Sequence, residues 1–304
     1  MDMIGDEPAE TLAAVLPVSV VIPCYNRAHL VGDAVRSALE QYPMGPAEVI
    51  VVDDGSTDDS ADVARRAGAQ VIGQPNGGEA AARNTGLRAA ENDWVALLDS
   101  DDFWLPWHLA TLWPHRDGHV LVGSVARVLP SGRTIGNRRR ETTVLRNPAD
   151  LFWPDNPVLP STTLVHRPSV LAAGGFPNLP LAADIAMWSR LLAHGSGIVV
   201  PDITCHYREH SGQVTVDIDG MAATLRELLA DAGGEAWCTR RLVRRVETRI
   251  HWDRLRTAQR AGDLAALWHE ARWLSAGPPR WDALWRLLRF RARVRSVTPA
   301  TDLA

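Results

Sequence analysis

The residues most able to do chemistry in this sequence are acidic side chains that directly follow short apolar segments. The segment WVALL (94–98) runs into Asp99, Ser100, Asp101 and Asp102. Carboxylate oxygens suit Mg²⁺ or Mn²⁺, which proteins hold through one or two carboxylates together with substrate phosphates. The same residues could instead cap a following helix. Three acids in four positions exceed what a cap requires, so the sequence predicts a divalent metal site here.

A second acidic pair, Asp53 and Asp54, follows the apolar segment EVIVV (48–52), and Tyr25 lies just beyond VSVVI (18–22). One carboxylate could accept a hydrogen bond from a nucleobase N–H, while the tyrosine ring offers a flat stacking surface. An Asp-Gly turn leading into a helix cap at Ser56 or Thr57 is compatible with that role. The pair therefore indicates a nucleotide site with a structural turn beside it.

Cationic chemistry in this chain is restricted to arginine, histidine and metal ions, because all 32 Lys+Arg residues are Arg. This excludes P-loop and Schiff-base lysine mechanisms. Gly77 and Gly78 allow close backbone approach at the start of a predicted helix that carries Arg83. Arg83 could reach a diphosphate, although an arginine on a helix is by itself weak evidence.

The elements that must position these residues alternate between strand and helix. Short apolar runs predict buried parallel strands at 18–22, 48–52, 70–72 and 94–98, with helices at 28–40, 58–67 and 79–90 between them. Later strands are expected near 119–128 and 161–165, a helix at 184–194, and mostly helix beyond 218. The pattern predicts a doubly wound α/β fold, in which ligands bind at the carboxyl ends of the strands. No GxGxxG follows a strand, which argues against a dinucleotide-binding enzyme.

Four motifs in order over 18–107 carry a family resemblance: VSVVIPCYNR, EVIVVDDGSTDDS, QPNGGEAAARNTGLRAA and WVALLDSDDFWLP. They resemble the N-terminal half of family 2 glycosyltransferases with the GT-A fold, an α/β sandwich with a mostly parallel central sheet. The resemblance implies a nucleotide-sugar site built from Pro23, Tyr25, Asn26, one of Asp53 and Asp54, Gly78, Arg83, Asp99 and Asp101. It makes Asp99 and Asp101 the DxD motif, with Asp101 on the metal, Asp99 near the ribose and Asp102 as the second choice of ligand.

The second half resembles the family less closely. STTLVHRPSVLAAGGF (161–176) is similar to the segment before the acceptor region, and LAADIAMWSRLLAHG (181–195) to the segment with an acidic pair. That pair is usually Glu-Asp and here is Ala183-Asp184, so the resemblance implies Asp184 as general base without its neighbour. HYREHSGQVT (206–215) is similar to the element that closes over the nucleotide, which makes His210 a candidate for the diphosphate or metal and equally for a structural histidine.

Charge divides the chain unevenly. Residues 1–234 hold 17 Arg against 29 Asp+Glu, and the last 70 hold 15 Arg against 7, together with six of the 12 Trp. Apolar residues recur at helical spacing around 264–274 and 281–288 within this basic tail. We weigh a helical cap on the catalytic domain, an anionic membrane surface, and a dimer or partner interface. A nucleic-acid partner is not expected, because the catalytic part is acidic.

We therefore predict a tail at 1–16, a GT-A catalytic domain at 17–217 (donor half 17–115, acceptor half 116–217) and a helical extension at 218–304. The acidic N-terminus, three scattered cysteines and lack of an 18-residue apolar run favour a cytoplasmic protein, or one peripheral to the inner face of the membrane.

The predicted activity is metal-dependent, inverting, non-processive glycosyl transfer of a hexosyl or N-acetylhexosaminyl group. The donor is most simply a UDP-sugar, the cofactor Mn²⁺ or Mg²⁺, and the acceptor a small molecule, a lipid-linked sugar or a glycan. A polysaccharide synthase is disfavoured by the lack of Gln-x-x-Arg-Trp. The alternatives are a catalytically impaired nucleotide-sugar-binding protein, motivated by Ala183, and a nucleotidyltransferase, which would need a Gly-rich loop ending in Arg-Lys.

Overall fold

The structure is a computed structural model that describes residues 14–135, 141–152, 158–209 and 217–275. The chain divides into two compact units, Met1–Leu242 and Val243–Ala304. Helix α8 (Ile218–Asp231) falls in the first unit, 25 residues before the division, whereas the sequence placed it at the start of the helical extension. The predicted domain boundaries stay predictions. None of the described helices is both long enough and apolar enough to cross a bilayer.

One mixed sheet organises the first unit. Its strands are β1 (Ala14–Cys24), β2 (Met44–Asp53), β3 (Gln70–Gly73), β4 (Trp94–Leu97), β5 (Phe103–Trp104), β6 (Leu121–Leu129), β7 (Thr134–Ile135), β8 (Thr143–Leu145), β9 (Thr163–His166) and β10 (Gly197–Arg208). The order is β3-β2-β1-β4-β9-β6-β10-β5, with β7 beside β6 and β8 beside β10. The first four strands run parallel, and so do β6 and β10. The prediction of a mostly parallel central sheet is confirmed.

Nine further helices accompany α8: α1 (Val31–Leu39), α2 (Ser60–Arg66), α3 (Glu79–Ala89), α4 (His108–Leu112), α5 (Ala149–Phe152), α6 (Arg167–Ala172), α7 (Ala183–His194), α9 (Arg240–Ala261) and α10 (Leu264–Ser275), counted over the described residues. Helix α9 crosses from the first unit into the second. In the second unit His251 stacks on Trp273, with ring centroids 3.6 Å apart, and Glu270 bonds the same imidazole. Leu264 and Trp268 on α10 are 72% and 73% exposed.

Burial on both sheet faces explains why the central strands are continuous apolar runs. Val18, Val20 and Ile22 belong to a core cluster with the apolar residues of α1 and α4. Val21, between them on β1, faces α3 instead. Since alternate residues of a strand point to opposite faces, a strand covered on both sides must be apolar at every position. This is the physical basis of the strand predictions that the structure bears out.

Strand β10 was missing from the sequence-based expectation, although it is the longest in the sheet at 12 residues. Its segment GIVVPDITCHYR is interrupted by Pro201 and Asp202, and its pairing with β6 shifts register there. The predicted strand at 161–165 begins later, because residues 160–162 form a 3₁₀ turn before β9. Helix α2 begins at Ser60 rather than after a cap at Ser56 or Thr57.

Gly86 sets the distance between α3 and the sheet. A Cβ at this position would lie 2.3 Å from Cγ1 of Val21, closer than real Cβ contacts come. The glycine therefore lets α3 approach β1 closely, the strand that ends at Cys24 just before Tyr25. Because α3 also carries Arg83, this approach helps to place the cationic side chain at the carboxyl edge of the sheet.

We predict that Gly86→Ala destabilises the first unit by about 1–3 kcal/mol, since the added methyl group overpacks the interface between α3 and β1 by more than the gain in helix propensity. Urea unfolding followed by circular dichroism measures the change. Gly73→Ala is the matched control, because nothing lies within 4 Å of a Cβ at Gly73. Equal stability of the two variants would contradict the close-packing argument.

Candidate active site

The candidate site lies along one edge of the sheet. Strands β1, β2, β4, β6 and β10 all point the same way, because β9 is antiparallel to both β4 and β6. Their carboxyl ends deliver the loops after Cys24, Asp53 and Leu97 and the end of β10 at Arg208 to a single edge. The strand-end residues that the sequence singled out are therefore neighbours in space.

Asn26 ties the loop after β1 to the loop after β2. Its backbone adopts a positive φ of 51°. Its N–H donates to Ser56 Oγ (2.9 Å), and its Oδ1 accepts from the Thr57 N–H (2.8 Å). Beside it Pro23 is buried, whereas Tyr25 is 46% exposed. The hydrogen bonds of Asn26 hold the loop that carries Tyr25 at the edge, where the tyrosine ring is accessible to a ligand.

The two carboxylates after β2 have different environments. Asp54 is 3% exposed and accepts three hydrogen bonds, from Gln74 Nε2 (2.7 Å) and from the backbone N–H groups of Gly77 (2.9 Å) and Gly78 (2.8 Å). Asp53 Oδ1 is buried and has no hydrogen-bond partner among the described residues. An acceptor left unsatisfied in this way is costly, and a ligand N–H would satisfy it. Asp54 fixes the loop that contains Gly77 and Gly78, hereafter the glycine loop, and Asp53 Oδ1 is available to a ligand donor.

The Asp102 carboxylate stabilises the acidic turn formed by residues 99–102. Its Oδ2 accepts from Ser161 Oγ (2.6 Å) and its Oδ1 from the Arg208 N–H (3.1 Å). Ser161 Oγ in turn accepts from the Asp99 N–H (3.1 Å). Burial, reinforced by the charges of Asp99 and Asp101, raises the pKa of Asp102 well above its ordinary value. Both its oxygens already have protein partners.

Asp99 and Asp101 are the more open members of the turn. The side chains of Asp99 and Asp101 are 22% and 19% exposed. Asp99 Oδ1 accepts from Arg83 Nη2 (2.7 Å), and Asp101 Oδ2 lies 3.9 Å from Arg27 Nε. Both carboxylates are partly exposed at this edge of the sheet.

Arg83 is a buried cation among these acids. It is 3% exposed, and Nη2 donates both to Asp99 and to Glu79. Its guanidinium also lies over the Phe176 ring, 5.4 Å from the centroid. Burial alone would lower the pKa of Arg83, but the charges of Glu79 and Asp99 raise it above its ordinary value. A charge this deeply buried is tolerated only because it is paired.

Asp184 lies in the first turn of α7, after Ala182 in the left-handed conformation (φ 55°). Burial raises its pKa, partly offset by the backbone N–H of Ile185 and the charge of Arg83. The charge of Asp99 raises it further. The electrostatic environment of Asp184 thus includes Arg83 and Asp99, and its raised pKa suits a group that accepts a proton.

Asn84 joins α3 to the Gly-Gly-Phe turn (174–176) before α7. Its Nδ2 donates to the Phe176 carbonyl and its Oδ1 accepts from the Phe176 N–H, both at 2.8 Å. Phe176 packs edge-on against Trp188, one turn after Asp184, with centroids 5.6 Å apart. Gly175 adopts φ 73°, and a Cβ there would lie 2.5 Å from Asn84 Oδ1. The Gly-Gly-Phe turn is thus fixed between α3 and α7.

The residues fit a divalent cation bound together with phosphates. No group of three or more His, Cys, Asp or Glu side chains suitable for a metal occurs among the described residues. Two open carboxylates of one short turn match the alternative arrangement, in which Mg²⁺ or Mn²⁺ keeps only one or two protein ligands. Asp101 and Asp99 are the side chains able to supply them, and His210 lies outside the described residues.

The structure brings together Tyr25, Asp53, Arg83, Asp99, Asp101 and Asp184 around one edge. The sequence-based list missed Glu79, Ser161 and Arg208. Ser161 and Arg208 each lie in a segment that resembles the family, so the sequence contained some indication of them. Neither side chain is of a type that by itself indicates a metal or nucleotide site. Glu79 was missed because a first-turn glutamate ordinarily only complements the helix dipole.

A family profile matches the part of the chain that supplies most of this edge. The profile of Glycosyl transferase family 2 matches residues 19–166, just under half of the chain. These residues contain the Asp53 and Asp99–Asp102 segments, together with α3 and Ser161. Residues 19–166 belong to glycosyl transferase family 2. The family 2 region ends at the last residue of β9, so Asp184 lies beyond it.

Curated relatives match part of this chain. Succinoglycan biosynthesis protein ExoU of Rhizobium meliloti is 42% identical over 108 residues, which cover 34% of this chain and 31% of the relative. Glycosyltransferase AglE of Haloferax volcanii is 30% identical over 193 residues, covering 59% and 62%. The matched region spans 26–31% of the first three curated relatives.

Solved structures show the same fold over most of the chain. S. aureus TarS 1-349 in complex with UDP-GlcNAc has a TM-score of 0.59 at 17% identity, covering 82% of this chain and 88% of TarS 1-349. Mannosyltransferase PcManGT from Pyrobaculum calidifontis, in complex with GDP-Man and Mn²⁺, has a TM-score of 0.57 at 21% identity, covering 88% and 82%. The GT-A fold predicted from the family 2 motifs is confirmed.

We predict that Asp54→Ala lowers the free energy of unfolding by about 2–4 kcal/mol, because three hydrogen bonds to one carboxylate are lost from the glycine loop. Asp53→Ala is the matched control and should change stability by less than about 1 kcal/mol, since Oδ1 has no partner to lose. Urea unfolding compares the two. A larger loss for Asp53→Ala would reverse the division of roles between these residues.

Proposed function

We propose that this protein is a metal-dependent, inverting glycosyltransferase that moves a sugar from a nucleotide sugar to an acceptor hydroxyl without processive elongation. One observation carries the proposal. The Arg83 guanidinium lies over the Phe176 ring, and that ring packs against Trp188, one turn after Asp184 on α7, which lies outside the family 2 region. We infer that Asp184 acts as a base beside Arg83 and Asp99.

The donor is held by Asp53, Tyr25 and the residues around Arg83. Asp53 Oδ1 is an acceptor in need of an N–H, which the imide of uracil supplies, and Tyr25 provides a surface for the base. We therefore propose a UDP-sugar as donor. The relatives include one bound to UDP-GlcNAc and one bound to GDP-Man, so a guanine base is the competing choice.

Asp101 would hold the divalent ion, with Asp99 directed to the ribose or sharing the ion. Asp102 is the weaker candidate, because Ser161 and Arg208 occupy its oxygens. When bound, the ion neutralises negative charge that develops on the leaving diphosphate. Arg83 is the protein's own cation at this position.

The transfer itself is a single displacement. The acceptor oxygen attacks the anomeric carbon while the bond from that carbon to the diphosphate oxygen breaks, and the electron pair leaves with the nucleoside diphosphate. Asp184 takes the acceptor proton. Attack on the face opposite the leaving group inverts the anomeric centre, and one base is sufficient.

A nucleotide-binding protein without activity is the competing proposal, since Ala183 stands where the family resemblance implies Glu. The predicted membrane or dimer contact of the C-terminal helices stays a prediction. Activity and binding assays on the same protein separate the two functions. Nucleotide binding without sugar transfer would support the binding protein.

We predict that UDP with Mn²⁺ raises the unfolding temperature more than other nucleoside diphosphates do, because ligand binding to the native state adds to its stability. A thermal-shift panel of UDP, GDP, ADP and CDP, each with Mn²⁺ or EDTA, measures this. Asp101→Ala should abolish the Mn²⁺-dependent part of the shift. An unchanged shift in EDTA would remove the metal from the proposal.

We predict that Asp184→Asn leaves nucleotide affinity within about twofold and lowers the transfer rate by about 10²–10⁴-fold, as expected for loss of a general base. Single-turnover transfer and titration calorimetry measure the two quantities. In the wild type, transfer should fall on acidification at a higher pH than an ordinary aspartate would give, since the pKa of Asp184 is raised by burial. Retained transfer in Asp184→Asn would assign the base elsewhere.

A further inference from the structure

Helix α10 of the second unit exposes large apolar side chains. Leu264 and Trp268, one helical turn apart, are 72% and 73% exposed, and Trp273 is 39% exposed. The carboxylate of Glu270 on the same helix is instead buried, where it bonds the imidazole of His251 on α9. A helix that packs against another ordinarily shows the reverse, with apolar residues inside and charged ones outside. Packing of α9 against α10 therefore does not account for the exposed side of α10.

The exposed apolar residues lie on one face of the helix. Leu264, Ala265 and Trp268 are all exposed, and their three- and four-residue spacing places them side by side. We call these three residues the α10 stripe. Together with Trp273 they present roughly 400 Å² of apolar surface, since one aromatic side chain alone carries about 150–250 Å². An exposed apolar patch of this size on a single chain commonly marks an interaction site.

The second unit is also strongly basic. Residues 243–304 hold 13 Arg against 6 Asp+Glu. Two of these acids are already engaged, because Glu270 is buried and Asp253 pairs with both Arg249 and Arg256. Arg256 keeps 57% of its side chain exposed in that pair. The unit thus combines a positive net charge with an exposed apolar stripe.

A surface of anionic lipid matches this combination better than a second protein copy does. A stable interface between protein chains buries about 800 Å² on each partner, roughly twice what the patch offers. A symmetric dimer through the α10 stripe would also bring two basic units together, which their like charge opposes. Lipid headgroups need no complementary shape, because each Leu or Trp enters the interface separately and each Arg adds attraction to anionic headgroups.

We propose that the second unit docks on a membrane surface that contains anionic lipid, with α10 lying along that surface. Leu264 and Trp268 enter the boundary between headgroups and acyl chains, and the arginines of the unit remain among the headgroup phosphates. The contact is peripheral and reversible, since only a few apolar side chains are inserted. This docking does not depend on the proposed sugar transfer.

Co-sedimentation of the full chain with vesicles tests the docking. The vesicles contain phosphatidylcholine alone, or phosphatidylcholine and phosphatidylglycerol in equal amounts. The wild type is compared with Leu264→Ser/Trp268→Ser and with the matched control Val15→Ser/Tyr42→Ser. The control removes one aliphatic and one aromatic side chain of the first unit with similar exposure, 70% for Val15 and 66% for Tyr42. Melting temperatures and sedimentation equilibrium report folding and oligomeric state.

We expect the wild type to bind the vesicles with phosphatidylglycerol, and the bound fraction to fall as salt screens the arginines. Leu264→Ser/Trp268→Ser should lower the partition coefficient by about tenfold or more, because two apolar side chains no longer leave water. Arg256→Gln should lower it by about fivefold at low salt through loss of one cationic group. The control variant should match the wild type.

Four results would overturn the inference. Absence of wild-type binding to the anionic vesicles at low salt would exclude lipid docking. Equal binding of the wild type and Leu264→Ser/Trp268→Ser would move the lipid contact away from the α10 stripe. A wild-type dimer that this variant loses, without lipid binding, would make a second copy the occupant. A lowered melting temperature of the variant, without lipid binding by the wild type, would mean that another part of the chain covers the stripe.

Discussion

The buried guanidinium of Arg83 is the interaction on which the rest of the site depends. It lies between Glu79 and Asp99, and its charge also reaches Asp184. Without this cation, carboxylates from three different elements would repel one another at short range. The fold therefore has to hold α3 firmly, and it does so through the close approach of Gly86 to Val21.

The same helix also determines where the base lies. Asn84 follows Arg83 directly and bonds both backbone groups of Phe176, whose ring contacts Trp188 on α7 and lies beneath the Arg83 guanidinium. A shift of α3 would move the cation and the Gly-Gly-Phe turn together. In the proposed transferase, donor binding near Arg83 and the position of Asp184 are in this way mechanically connected, as bringing two substrates together requires.

Much of the edge was predictable, because acids after apolar strands meet wherever parallel strands end. Asp53, Asp99 and Asp101 were found by that rule. Periodicity could not find β10, since Pro201 and Asp202 interrupt its apolar pattern. Nor could periodicity distinguish the roles of Asp53 and Asp54, because only Asp54 accepts hydrogen bonds from three donors in residues 74–78. Glu79 was not predicted, because its pairing with the buried Arg83 can be recognised only in the tertiary structure.

In the proposed transferase, the charge balance at the edge couples binding of the divalent cation to binding of the donor. The acids at the edge outnumber Arg83. Arg27 Nε lies 3.9 Å from Asp101 Oδ2, and Arg208 pairs with Asp33. A diphosphate adds further negative charge to this region, and no lysine exists in the chain to offset it. A divalent ion that binds beside the diphosphate gains from both sets of oxygens, whereas either ligand alone meets uncompensated charge. Binding of the ion and of the donor should therefore strengthen each other by the same factor, as thermodynamic linkage demands.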